Sequence, residues 1–295
     1  MLERITSVAP SHSARRCAAH RPTLPTVKSL NPRRPSTPIT FARGLTGRDR
    51  TARSNRHLGL ALAFVAGATN AGGFLAVQQY TSHMTGIVSG MADHIALGAY
   101  ELLLAGSGAL LLFVLGAACT AVMVNYARRH RLHSEYALPL LLEAALLLCF
   151  GILGARLSVV HGLFVSVTVM LLCFIMGLQN ALVTKLSKAE IRTTHMTGVF
   201  TDIGIELGKL VYWNRNASQP HFGGAAAAPV RADRQRLRTL ALLALCFFSG
   251  AVVGALGFRH LGYASTVPLA LVLVTLAIVP AFDDLAATLK RRVRS

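Results

Sequence analysis

The tetrapeptide His-Met-Thr-Gly occurs twice, at residues 83–86 and 195–198. Each copy sets an imidazole (His83, His195) next to a hydroxyl (Thr85, Thr197) and a glycine (Gly86, Gly198). Such a group can take up a proton near neutral pH, ligate a metal or make a structural hydrogen bond. Side-chain amides precede both copies: Asn70 the first, Gln179 and Asn180 the second. In apolar surroundings an amide either bonds across helices or lines a solute path. These nine residues are the candidates for lining a substrate pathway.

Three carboxylates are the candidates for proton coupling. Asp202 and Glu206 are four residues apart and Asp202 follows His195 by seven, which puts all three on one helix face. Lys209, three residues beyond Glu206, makes a plain ion pair an equal alternative. In the first copy His83 and His94 are eleven residues apart, three helical turns, with Asp93 adjacent. Glu143 is the one charge in the apolar run 137–155, so it faces a cavity, snorkels or is protonated. Imidazole and carboxylate on one face suit a metal or a proton relay, but no metal site and no cofactor is expected. No P-loop, strand-borne G-x-G-x-x-G, H-E-x-x-H or G-x-S-x-G is present, which argues against a soluble-enzyme chemistry and against ATP-driven work by this chain. The five cysteines form no C-x-x-C pair, and four of them lie in apolar runs as small hydrophobes.

The elements that must position these side chains are membrane spans. The chain of 295 residues is 53% hydrophobic and 14% charged, with a mean hydropathy of +0.50 and a formal net charge of +18. That leaves too few charges to coat a soluble surface and too much apolar content for disorder. Six runs approach the ~20 residues a hydrocarbon core requires: Leu58–Tyr80, Leu102–Val124, Ala137–Ala155, Gly162–Thr184, Thr239–Phe258 and Leu261–Phe282. Backbone groups in lipid must be paired internally and period-2 alternation is absent, so the spans are helices.

Charge sets the orientation. Residues 1–57 hold 12 of the 30 Lys and Arg, two acids and six prolines, and residues 58–127 hold no Lys or Arg. The first segment reads as a disordered basic tail without a signal peptide, a cytoplasmic flank rather than a nucleic-acid arm. With six spans and a cytoplasmic N-terminus, 28 of the 30 cations fall on the cytoplasmic side, leaving Arg156 and Arg259 outside. An eight-span alternative would put Arg128, Arg129 and Arg131 outside, and is rejected on that ground. Both termini, including the basic tail 286–295, are then cytoplasmic.

The two motif copies belong to a longer duplication. Thr69-Asn70-Ala71 matches Gln179-Asn180-Ala181 at an offset of 110, the His-Met-Thr-Gly copies lie 112 apart, and Phe113–Ala117 echoes Phe247–Ala251 at 134, the polar loop 213–238 absorbing the difference. Each half, 58–161 and 162–285, contains three spans. An odd number inverts the second half relative to the first, an architecture recurrent in transporters. The motif segments are too polar for comfortable spans and are expected as short re-entrant or interfacial helices. Gly250 and Gly254, with Gly116 and Thr120 in the related place, mark close helix contacts within or between chains.

The strings Met176-Gly177-Leu178-Gln179-Asn180-Ala181 and Arg192-Thr193-Thr194-His195-Met196-Thr197-Gly198 resemble the YoaK-like family, a domain-of-unknown-function family of bacterial multi-span inner-membrane proteins. The resemblance covers about residues 58–285. It implies a bacterial inner-membrane location and no particular activity. The chain departs from the family pattern at Ile87, where an Asn commonly follows Met-Thr-Gly.

The expectation is thus an all-α polytopic membrane protein with six spans in two inverted repeats. Its partners would be the lipid bilayer, a small-molecule solute and a possible second copy of the chain, and no nucleic acid. It would act as a secondary transporter or permeation pathway. A non-transporting scaffold or partner subunit is the alternative, and a membrane-embedded metal-dependent enzyme the third.

Overall fold

A computed structural model of the chain describes residues 52–130, 132, 135–157, 161–186, 196–212 and 230–278. Among these every regular element is helical. The α-helices are α1 (Ala52–Val77), α2 (Met84–Ala96), α3 (Tyr100–Arg129), α4 (Ala137–Leu157), α5 (His161–Leu186), α6 (Met196–Val211) and α7 (Arg234–Leu261). A 3-10 turn, Gly262–Ser265, leads into a last helix, α8, at residues 266–278. Pro139 and Pro268 each fall in the first turn of their helix, where the missing N–H would have had no partner. Asp233 caps α7, its carboxylate accepting the backbone N–H of Gln235 and of Arg236 at 2.9 Å.

Among the described residues five stretches are long and apolar enough to cross a membrane: Arg56–Val77, Tyr100–Arg129, Ala137–Arg156, Val167–Leu186 and Arg234–Ile278. The last has 45 residues, about 68 Å if straight at 1.5 Å per residue and more than twice a hydrocarbon core. It is not straight. Gly262 has φ +57, a backbone only glycine adopts freely, and a Cβ on Gly257 would touch the Ser265 side chain. The chain turns there, and Leu269, Leu273 and Ala277 of α8 join the same apolar cluster as Leu58 and Leu62 at the start of α1.

The helices pair across the two halves of the sequence. In α1 and α7 the contacts advance together, Phe64 with Gly250, Ala68 with Gly254 and Gly72 with Phe258, so these helices run parallel. In α3 and α5 they also advance together, Gly108 with Met170, Gly116 with Phe174 and Thr120 with Leu178. Between α1 and α5 the contacts run in opposite directions, Leu62 with Gln179 and Gly73 with Leu172. This pair is antiparallel.

The close approaches repeat. A Cβ on Gly67 would land on the carbonyl oxygen of Phe247, and one on Gly250 on that of Phe64. In the other pair a Cβ on Gly177 would land on the carbonyl oxygen of Phe113, and one on Gly116 on that of Phe174. Apolar side chains gain little from leaving lipid for one another, so membrane helices associate through contact that small residues permit. The Leu178 carbonyl adds a hydrogen bond from the Thr120 hydroxyl at 2.9 Å. At the corresponding place in the first pair, Gly254 abuts the Ala68 carbonyl.

The α3–α4 connection is tied to α5. Arg128 donates to Glu135 at 3.0 Å and to the Tyr136 hydroxyl at 3.3 Å, and that hydroxyl donates to the Lys185 carbonyl at 3.2 Å.

Helix α1 starts at Ala52, six residues before the boundary expected at Leu58. The charge pattern changes at Leu58, but Ala52–His57 contains neither Pro nor Gly to stop a helix. Likewise Arg234–Arg238, expected in the polar loop 213–238, forms the first turn of α7. The tail up to Thr51, loop residues 213–229 and the C-terminal segment from Val279 lie outside the described residues.

Candidate functional site

The first motif segment is held by a repeat landmark. The Ser82 hydroxyl donates to the Asn70 side-chain oxygen at 2.8 Å. Asn70 lies seven residues before the end of α1, about 10 Å along the axis. Residues 78–83 therefore fold back beside the last two turns of α1 before α2 begins. Helix α2 then packs antiparallel on the first turns of α3, Met91 lying against Gly106. The motif segment thus doubles back along the end of α1 before α2 leads into α3. Gln78 at the turn has φ +54, uncommon for a residue with a side chain.

Beside this turn a cleft of about 590 Å³ opens between the end of α1, α2, the start of α3 and the start of α5. His83, Gly86 and His94 line it, with Gln78, Gln79 and Tyr80 at the turn. Its apolar wall includes Phe74, Ile87 and Met170. The His83 ring lies over Gly86, where a Cβ would strike it, and the Phe74 and Tyr80 rings stack with centroids 4.5 Å apart. Thr85 is exposed and does not line the cleft.

In the second motif segment His195 lies outside the described residues, and Thr197 and Gly198, which open α6, are exposed. The carboxylates of α6 are engaged. Asp202 pairs with Arg236 at 3.0 Å. The buried Glu206 accepts from Lys209 Nζ and from the backbone N–H of Asp233, each at 2.8 Å. The Lys209 hydrogen bond, then that of Asp233, holds the Glu206 carboxyl below the ordinary carboxylate range. These contacts fasten α6 antiparallel to the first turns of α7, as α2 lies on α3.

The remaining polar candidates are inside the helix core. Gln179 and Asn180 are buried in α5, and Gln179 Nε2 reaches the Leu62 carbonyl only at 3.4 Å. The Oε1 of Gln179 and the hydroxyl of Thr69, its counterpart at an offset of 110, are both buried without a hydrogen-bond partner. Glu143 is 0% exposed and neither carboxyl oxygen has a partner. It sits between Leu140 and Leu147, members of the apolar cluster that joins α4 to α1, α5 and α8.

The sequence candidates are therefore not one constellation. His83, Gly86 and, through Ser82, Asn70 come together. Gln179, Asn180 and Glu143 lie deeper, and Asp202 and Glu206 join α6 to α7. Among the described residues no cluster of three or more His, Cys, Asp or Glu is placed to hold a metal. The cleft adds Gln78, Gln79 and Tyr80, which motif reading passes over because ordinary turn residues carry no spacing signal. Ser82 and Thr69 stand within the duplicated strings and were legible only as part of them.

The sequence model described as "Protein of unknown function (DUF1275)" matches residues 58–279. The chain belongs to this family. The DUF1275 match covers both motif segments and every helix from the body of α1 to α8. No curated protein and no solved structure gives a match. The DUF1275 description names no activity and no substrate.

Proposed function

We propose that the chain is a secondary transporter or permeation pathway for a small solute, with six membrane crossings in two inverted halves. The observation that carries this reading is the antiparallel contact of α1 with α5, together with glycine seats that exchange between halves. Moving Gly67–Phe247 by the repeat offsets of 110 and 134 gives Gly177 and Phe113, with the same contact. A two-fold axis in the membrane plane has this property. On this reading the turn at Gly262 separates the fifth crossing from the sixth, and the positive-inside bias supports cytoplasmic termini.

On this reading the cleft at His83 is a vestibule on the side where α1 ends, and the centre is closed. The fully buried Leu62 and Leu172 lie along the α1–α5 seam, against Gln179 and Gly73. Glu143 is the proton-coupling group because it is buried and has no counter-charge. Asp202 and Glu206 act as the fastening of the opposite face. The activity is non-enzymatic.

Thiol accessibility tests the inversion. Ser82→Cys and Thr194→Cys, each in a background without native cysteines, are labelled from opposite sides of oriented vesicles. Labelling of both from one side removes the inverted repeat. Flux in proteoliposomes tests transport: unchanged flux in both His83→Ala and His195→Ala takes the imidazoles off the path.

The tight α1–α5 seam favours one second reading, a non-transporting scaffold. It predicts that no solute crosses and that the seam never becomes accessible to thiol reagents.

A further inference from the structure

The wall of the His83 cleft is chemically one-sided. Two imidazoles, two side-chain amides and a phenol face it, all able to donate hydrogen bonds, and no Asp, Glu, Lys or Arg is among its lining residues. The imidazoles share one helix face, His83 over Gly86 and His94 beside Gly90, one turn further on. The His94 Nδ1 is buried with no hydrogen-bond partner. The rest of the lining is apolar and includes Phe74, Ile87, Val169 and Met170. At about 590 Å³ the cleft has the size of a small-molecule site. Its rim includes Gln78 in the left-handed region, and strain of that kind is concentrated where a ligand is clamped.

A cationic ligand would meet no carboxylate here, and a fully polar one would leave the apolar wall unused. We propose that this cleft binds a small amphiphilic carboxylate, its head held by His83 and His94 and its apolar body against Phe74, Ile87 and Met170. Tyr80 and the Gln78 and Gln79 amides supply further donors around the head. This deepens the carrier reading by naming the class of its solute, while binding itself can be measured without any flux.

The full-length chain in nanodiscs is titrated by calorimetry with benzoate and octanoate, and with benzylamine and benzamide as cationic and neutral partners of benzoate. The expected result is binding of at least one carboxylate, with benzylamine and benzamide about tenfold weaker or absent. His83→Phe and His94→Phe should each weaken carboxylate binding about tenfold or more. Gly90→Leu, which extends a side chain toward the cleft and leaves both imidazoles in place, should abolish it and decides the matter where a histidine variant unfolds. No binding of either carboxylate, equal binding of benzylamine, or full affinity in the Gly90→Leu protein overturns the site. Carboxylate binding with no flux in proteoliposomes keeps the site and removes the carrier. Flux of other solutes without carboxylate binding does the reverse.

Discussion

The Ser82 hydroxyl reaches back to the Asn70 side chain, 2.8 Å away, and fixes the turn that carries His83 beside the last turns of α1. One hydrogen bond of this kind contributes about 1 kcal/mol. Ser82→Ala and Asn70→Ala should each lower stability by about that amount. The double variant should cost little more than the dearer single one, because the two groups share one interaction. Unfolding in detergent, followed over the four-protein cycle, measures this; additive losses would mean that the two groups act separately.

The glycine seats predict a matched pair of failures. Gly67→Val and Gly177→Val each drive a side chain into a neighbouring carbonyl, Phe247 in one case and Phe113 in the other. Overpacking costs typically 1–3 kcal/mol, so about 2 kcal/mol or more is expected from both. Gly204 in α6 faces open space, and Gly204→Ala should be neutral or raise stability by up to about 1 kcal/mol through helix propensity. Thermal unfolding of the three proteins shows whether the two crossings are equivalent.

Acid should loosen α6 from α7. Because the folded state holds the Glu206 carboxyl below its usual value of 4.5, this contact stabilises fully above that value. The contribution is lost as pH falls through the depressed folded value. Hydrogen exchange at the Asp233 amide, which bonds to Glu206, should accelerate over that acid window. In Glu206→Gln the acceleration should disappear.

Glu143 should separate stability from function. Both of its oxygens are buried without partners, and an apolar group of similar size removes that cost. Glu143→Leu is expected to unfold at the same or a higher temperature than the parent. In proteoliposomes it should lose any flux that depends on a proton gradient. A strongly destabilised Glu143→Leu protein would show that the carboxyl has a structural partner.

The spans were legible because their signal is one-dimensional. Apolar runs such as Ala137–Ala155 differ so strongly from their flanks that α4 begins at the expected residue. The duplication was legible at its most unusual string, His-Met-Thr-Gly. Which helix meets which was not, because Gly250 and Gly254 announce a close contact without naming Phe64 and Ala68 as the other side. Gly67 and Gly177 escaped notice for a related reason: a single glycine in an apolar run carries no spacing. The α6 carboxylates could be read either as a relay or as an ion pair, since the Asp233 amide and Arg236 that engage them are 27 and 34 residues further along the chain. No local pattern reports such partners. Helix α1 runs on ahead of the apolar run, to Ala52, because a change of charge is not a helix stop.

Interlocking between α1 and α7, and between α3 and α5, gives the molecule a mechanics that its gene arrangement conceals. Each tightly seated couple takes one member from either half of the sequence, so neither half can shift as a body without unseating five glycines. The natural moving parts are the couples themselves. The seam along which they would slide is the boundary of α1 with α5, where Gly73 meets the Leu172 side chain rather than a carbonyl and side chains can exchange rotamers.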